Sequence, residues 1–213
     1  MDKSLRIKLI KLAKSYVKND DPSHDFQHSL RVLANAERIS KIEKADLDIL
    51  VPACLFHDVI NHPKNSSLAQ FSSNESAEFT KKILSNMKEF PKNKIKDVYT
   101  AIQSCSFNKG ILPDLLEAKI LQDADGLEAT GAISIMRTYA STGQMKNPFY
   151  HPTDPFCKNR KADAHAYALD LFFVRLLKIV ERMHTKTARI IAKRRTKFLQ
   201  YFLEEFSLEL KGK

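Results

Sequence analysis

Apolar residues recur at three- and four-residue intervals through most of the chain, the spacing of one buried face of an α-helix. Leu5, Leu9, Leu12, Ala13, Tyr16 and Val17 mark one such face. Phe26, Leu30, Leu33 and Ala36 mark a second. A third helix is predicted to start near Asp46 and to carry Leu47, Leu50, Ala53 and Leu55 toward His57. Ser72-Ser73-Asn74-Glu75 has the spacing of a capping box, in which a hydroxyl and a carboxylate satisfy free backbone N–H groups. It predicts the start of a helix carrying Ala77, Phe79, Ile83 and Leu84. Further helices are predicted over 92–104, from 113 to about 139, and through the C-terminal part, 160–208.

Gly126 and Gly131 lie inside the 113–139 segment and weaken its continuity. Residues 141–161 hold Pro148, Pro152 and Pro155 and lack periodicity, which predicts a long loop of the kind that forms a lid or rim. Five glycines in 213 residues leave little material for tight hairpins. The expected fold is all-α, and the length fits a single domain over 1–213.

Composition narrows the class. With 43% hydrophobic and 28% charged residues the pattern is that of a globular protein. No run approaches the roughly 18 to 20 apolar residues of a membrane span, so no membrane partner is expected. The first residues, MDKSLRIKLIKLAKSY, carry charges throughout and lack the apolar core of a signal peptide. Cys54, Cys105 and Cys157 are far apart and form no CxxC pair. That spacing predicts neither a disulfide framework nor a structural zinc site, and favours a reducing, cytoplasmic setting. The net charge of +10 raises a nucleic-acid reading. The basic segment 186–197 has few interleaved aromatics for base stacking, so only weak, salt-sensitive binding is expected.

Chemistry-bearing residues fall in three places. His24-Asp25-Phe26-Gln27-His28 opens the second helix, and its spacing brings His24, Asp25 and His28 within reach of one face. His57-Asp58 ends the apolar run Ala53 to Phe56, shortly before Pro63. Asp123 and Asp125 stand in an otherwise apolar segment, where a carboxylate needs a partner. Each has an ordinary reading: Asp25 as a helix cap, His28 as a hydrogen-bonded core histidine, Asp125 as half of an ion pair. Together they read H…HD…D.

In that order, "SHDFQHSLRV", "LFHDVINHPKN", "LQDADGLEATGAISIMRTY" and "MHTKTARIIAKRRTKFLQYF" resemble the motifs of the HD-domain phosphohydrolase superfamily. The similarity is to its small single-domain bacterial branch, which includes nucleotide pyrophosphatases, and it covers about residues 20 to 205. The resemblance implies metal ligation by His28, His57, Asp58 and Asp125, with Asp123 the competing choice at the last position. His24 and Asp25 would face substrate phosphate or support the ligands. Two imidazoles and two carboxylates suit Mn²⁺, Fe²⁺, Co²⁺, Ni²⁺ or Zn²⁺, with Mg²⁺ a further choice, better than Ca²⁺. Adjacent side chains diverge by about 100° on a helix, so His57 and Asp58 converge only if the helix ends there.

Phosphate recognition calls for cations and donors. Lys64 and Asn61 share the His-Asp block, Arg31 follows His28 on its helix, Arg137 closes the Asp125 block, and Lys186, Arg189 and Arg195 recur in the last. Of these, Lys64, Asn61, Arg137 and Arg195 are the expected substrate contacts, with Asp58 and Lys64 carrying catalysis. The expected activity is hydrolysis of a nucleotide or related phosphate ester by a metal-activated water. The alternatives are a cyclic-nucleotide or other phosphodiesterase, and a silent nucleotide- or nucleic-acid-binding sensor. Cys105, Gly126 and Leu171 depart from the family, which has histidine, arginine and histidine as common choices there. These departures leave the ligand set intact and bear on substrate identity and turnover.

Overall fold

The first helix, α1 (Lys3–Tyr16), is opened by Asp2, whose carboxylate accepts a hydrogen bond from the Leu5 N–H at 2.9 Å. The structure, a computed structural model, describes residues 1–17, 24–62, 66–106 and 110–213. It is built from helices, and no strand occurs among the described residues. Two compact units divide the chain, Met1–Asp125 and Gly126–Lys213.

The first unit holds α1, α2 (Phe26–Glu43), α3 (Leu47–Phe56), α4 (Ser72–Asn86), α5 (Ile95–Gln103) and α6 (Leu116–Gly126). Helix α3 is its centre. Every residue from Ile49 to Phe56 is buried, so α3 has no solvent face and packs against α1, α2, α4 and α5. Asp46 caps it through the Asp48 N–H at 2.8 Å and pairs with Lys94 at 2.6 Å. The Asp46 N–H in turn donates to the buried Glu117 carboxylate at 2.7 Å, tying the start of α3 to the start of α6.

Several details depart from the apolar spacing. Leu5, Leu9 and Ala13 of α1 are buried, but Tyr16 is exposed and only meets the edge of Phe79. On α2 the buried stripe runs through Phe26, Ser29, Val32, Leu33, Ala36 and Ile39, leaving Leu30 half-buried at its margin. The predicted capping box does not form. Phe71 occupies the cap of α4 without a side-chain hydrogen bond, because a 3₁₀ turn over Ser67–Phe71 already leads into the helix. Ser72 and Glu75 are thereby free for other partners, described below.

In the second unit the predicted 113–139 helix breaks after α6. A 3₁₀ turn over Leu127–Ala129 precedes α7 (Gly131–Met145). Gly131 has φ +67, and a Cβ there would stand 3.3 Å from the Cβ and Cγ of Arg195. Glycine therefore permits both the left-handed turn and the close approach of α9 (Lys186–Glu209). Leu169, Phe172, Leu176 and Leu199 form the core of this unit, with Leu171 packed beside them. The predicted loop begins later than expected, since α7 continues to Met145. Helix α8 (Asp170–Val174) follows it.

That loop is held from within. Asp170 is fully buried, and its carboxylate takes both guanidinium nitrogens of Arg160, at 2.5 and 2.7 Å, and the Asp163 N–H at 2.6 Å. Burial alone raises the Asp170 pKa; the hydrogen bonds and charge of Arg160 outweigh it and hold the carboxyl below its usual value. Arg160 also lies over the Tyr167 ring, 5.1 Å from its centroid.

Arg160→Ala leaves that carboxylate buried without its cation, and a loss of about 3–5 kcal/mol is expected in urea unfolding at neutral pH. The pH dependence is also expected to change. A depressed carboxyl contributes stability above its unfolded pKa of about 3.9 and loses it as pH falls through the folded value. Acidification should therefore destabilise wild type more steeply than Arg160→Ala.

Candidate metal centre

His28 sits on the first turn of α2, two residues after Phe26, and is fully buried. Asp25 is the cap of that helix, its carboxylate accepting from the His28 N–H at 2.8 Å. This is the ordinary reading of Asp25, and it places the His28 backbone. Helix α3 ends at Phe56, with His57 as its C-cap, so His57 and Asp58 lie in the turn that follows. The helix stops earlier than Pro63, which lies outside the described residues, and the turn lets the two side chains converge.

His57 is 1% exposed, and its Nδ1 lies 2.9 Å from the Cys54 carbonyl oxygen. A carbonyl only accepts, so Nδ1 carries the proton and Nε2 presents a lone pair. That Nε2 atom is buried and has no hydrogen-bond partner among the described residues. It faces Asp58 Oδ2 at 3.5 Å. His28 Nε2 stands 3.6 Å from the same oxygen and 3.5 Å from Asp125 Oδ1. The ligand atoms of His28, His57 and Asp125 all lie within 4.8 Å of one another.

A bare imidazole nitrogen and a carboxylate oxygen facing each other in a buried site repel unless a proton or a cation lies between them. The spacing exceeds an ordinary hydrogen bond. It is near the roughly 3 Å that separates adjacent ligands of an ion with bonds of about 2.1 Å. His28, His57 and Asp125 can therefore hold a metal ion. Asp58 Oδ2 lies beside both histidine Nε2 atoms of the group. Burial raises its pKa, but His57, His28 and His24 outweigh burial and keep it well below the carboxylate range.

Asp125 reaches the group because α6 is anchored along its length. Asn35, buried on α2, donates to the Ala124 carbonyl at 3.4 Å, and Gln122 donates to the Ser104 carbonyl. Asp125 is partly open to solvent, whereas Asp123 is fully buried and lies outside the cluster. His24 packs edge-on against His28, with ring centroids 5.7 Å apart. Asn61 is exposed beyond the His-Asp turn, and Lys64 lies outside the described residues. Arg137 and Arg195 belong to the second unit, on α7 and α9. Arg195 donates to the Leu127 carbonyl at 3.0 Å, which gives its guanidinium a structural partner. Of the departing positions, Cys105 and Gly126 are buried.

Sequence reasoning missed the support of the His-Asp turn. The Ser76 hydroxyl on α4 accepts from the Ile60 N–H and donates to the Ile60 carbonyl, both at 3.1 Å. Ser72 accepts from the His62 N–H at 3.2 Å, and Glu75 meets His62 Nε2 at 2.7 Å. The would-be capping residues thus clamp the segment that follows His57 and Asp58. The signal for this was present in "SSNES", a cluster of short polar side chains on a helix otherwise patterned for burial.

An all-helical unit with paired histidines and carboxylates gathered at a helix end is the arrangement of HD domains. The family pattern for the HD domain matches residues 25–130, from the cap of α2 to Thr130, and the chain belongs to this family. YpgQ of Bacillus subtilis is 30% identical over 205 residues, covering 93% of this chain and 90% of that protein. The crystal structure of YpgQ in complex with ADP superposes with a TM-score of 0.73 at 26% identity, covering 97% of this chain and 98% of that one. An HD-superfamily hydrolase from Bacillus thuringiensis gives a TM-score of 0.73 at 26% identity over 99% of both chains. Lin1889 of Listeria innocua gives 0.75 at 29%, over 99% of this chain and 98% of that one.

Ser76→Ala strips both hydrogen bonds from Ile60. A loss of about 1–3 kcal/mol is expected in denaturant unfolding, and Ser76→Thr should recover part of it only if the added methyl finds room.

Proposed function

We propose that this chain is a metal-dependent phosphohydrolase acting on a nucleotide or a related phosphate ester. The observation that carries the reading is the His57 ring: buried, fixed in the tautomer that bares Nε2, and aimed at a carboxylate oxygen. A bound cation is what such a lone pair and carboxylate oxygen would share. The ADP complex of YpgQ supports a nucleotide as substrate class, and the kinship to an HD-superfamily hydrolase supports hydrolysis.

His28, His57, Asp58 and Asp125 would hold the ion, with Mn²⁺, Fe²⁺, Co²⁺, Ni²⁺ or Zn²⁺ favoured by the mixed nitrogen and oxygen donors and Mg²⁺ a further choice. Such an ion supplies a Lewis acid that lowers the pKa of water and draws charge from a phosphoryl oxygen. Asp58 turns Oδ2 toward His28 and His57, leaving Oδ1 to accept a hydrogen bond from the attacking water and orient it. His24, beside His28, and Asn61, exposed beyond the turn, would meet substrate oxygens. Asp25 would act by capping α2 under His28. Lys64 is proposed as the main phosphate-binding cation, and Arg137 and Arg195 as further ones, on their motifs alone.

Wild type is expected to retain a transition metal on purification, and His57→Ala to lose it, by elemental analysis of proteins checked for folding by circular dichroism. Asp58→Ala should hydrolyse none of the nucleoside tri-, di- and monophosphates that wild type cleaves. Lys64→Ala should keep its metal and lose about ten- to a hundredfold in kcat/KM, the worth of one charged hydrogen bond of roughly 1.5–3 kcal/mol. Equal metal content in wild type and His57→Ala would remove His57 from the site. A wild type that binds nucleotide with Mn²⁺, Co²⁺, Ni²⁺ or Mg²⁺ yet cleaves nothing would make the chain a sensor.

A further inference from the structure

Helix α9 buries Ala188, Ile191, Ala192 and Leu199 on one side and leaves large apolar side chains on the other. Ile190 is 61% exposed, Tyr201 55%, Phe198 48% and Leu208 43%. At about 100° per residue, Ile190, Lys197, Tyr201 and Leu208 lie along one line of the helix, with Phe198 at its edge. Lys193 and Glu204 flank the line on one side, Arg194 and Glu205 on the other. The charges are also sorted by position. Lys193, Arg194 and Lys197 precede Leu199, and Glu204, Glu205 and Glu209 follow it.

We propose that this face of α9 pairs with the same face of a second copy of the chain, antiparallel, about a two-fold axis near Leu199. Ile190 and Leu208 are equidistant from Leu199, as are Lys197 and Tyr201, so the antiparallel register sets each against the other across the axis. On the flanks the same register brings Lys193 to Glu204 and Arg194 to Glu205. Each pair occurs twice, because a two-fold interface is self-complementary. A parallel pairing would instead stack like charges. Within one chain Lys197 already lies over the Tyr201 ring, 5.6 Å from its centroid, which presents the ring and the cation together at the axis.

The charge pattern selects this occupant over others. A nucleic acid drawn to Lys193 and Arg194 would meet Glu204, Glu205 and Glu209 on the same face. A lipid surface would have to take up charges of both signs beside the apolar line. Only a surface with the opposite charge order satisfies both halves, and the chain's own α9, reversed, has that order. A helix of this length extends about 36 Å, and one such pair makes a small interface, so the association should depend on concentration and salt.

The test uses the full-length chain in analytical ultracentrifugation at low salt, at concentrations up to about 1 mM. Wild type is expected to form a dimer. The double variant Lys193→Glu/Arg194→Glu makes every flank acidic, and Glu204→Lys/Glu205→Lys makes every flank basic. All four positions are exposed, so both variants should fold, which circular dichroism checks. Each alone should dimerise at least about tenfold more weakly than wild type. Mixed in equal amounts they should form a heterodimer, since each then meets its opposite. A monomeric wild type, a charge variant that pairs with itself as wild type does, or a mixture that stays monomeric each overturns the proposal.

Discussion

The hydrogen bond from His57 Nδ1 to the Cys54 carbonyl constrains the rest of the first unit. It decides which ring nitrogen keeps its proton, and so leaves the buried Nε2 lone pair turned toward Asp58 Oδ2. The surrounding structure is arranged around that atom. Helix α3 is buried on every side so that its end delivers His57 into the interior, and α2 and α6 bring His28 and Asp125 to the same place. A site of this kind cannot be assembled by one helix, because neighbouring side chains point apart. Ending the helix at Phe56 is what allows His57 and Asp58 to face one centre.

A turn after a helix is ordinarily soft, and this one carries His57 and Asp58. Its stiffness comes from α4, whose Ser72, Glu75 and Ser76 reach across to the backbone and ring of the following residues. The division of labour is clear in the residue types. Apolar side chains determine where the helices lie, and short hydroxyls determine where the chain between them lies to within a hydrogen bond. Asn35 and Gln122 do the equivalent for the end of α6.

Helices were legible because apolar periodicity survives burial, and the all-α fold followed from it. Legibility failed where a polar side chain had two uses. Ser72 and Glu75 have capping-box spacing, but a preceding 3₁₀ turn supplied the entry to α4 and released them to hold His62. Tyr16 and Leu30 fit their stripes by spacing yet sit at the margins of the buried face. The prolines and missing periodicity of 141–161 predict a loop from its first residue, but Thr142 is buried and α7 continues to Met145 before the loop begins. Of the candidate site residues, the four proposed ligands are adjacent in space, Asp123 is fully buried, and Asp25 is occupied as a cap. The choice between Asp123 and Asp125 depends on which way α6 is rotated, and spacing alone does not contain that angle.

The buried Asp170 carboxylate has a consequence for how the second unit ages in solution. Long stretches without helix are where proteases first cut, because a peptide must open locally to enter a protease cleft. Here Arg160 and the Asp163 N–H both bond one carboxylate, so freeing the stretch around 160–163 leaves a buried charge unsatisfied. Opening the segment between α7 and α8 near residues 160–163 therefore has to break its hold on Asp170 first. Cleavage there would follow the integrity of that ion pair.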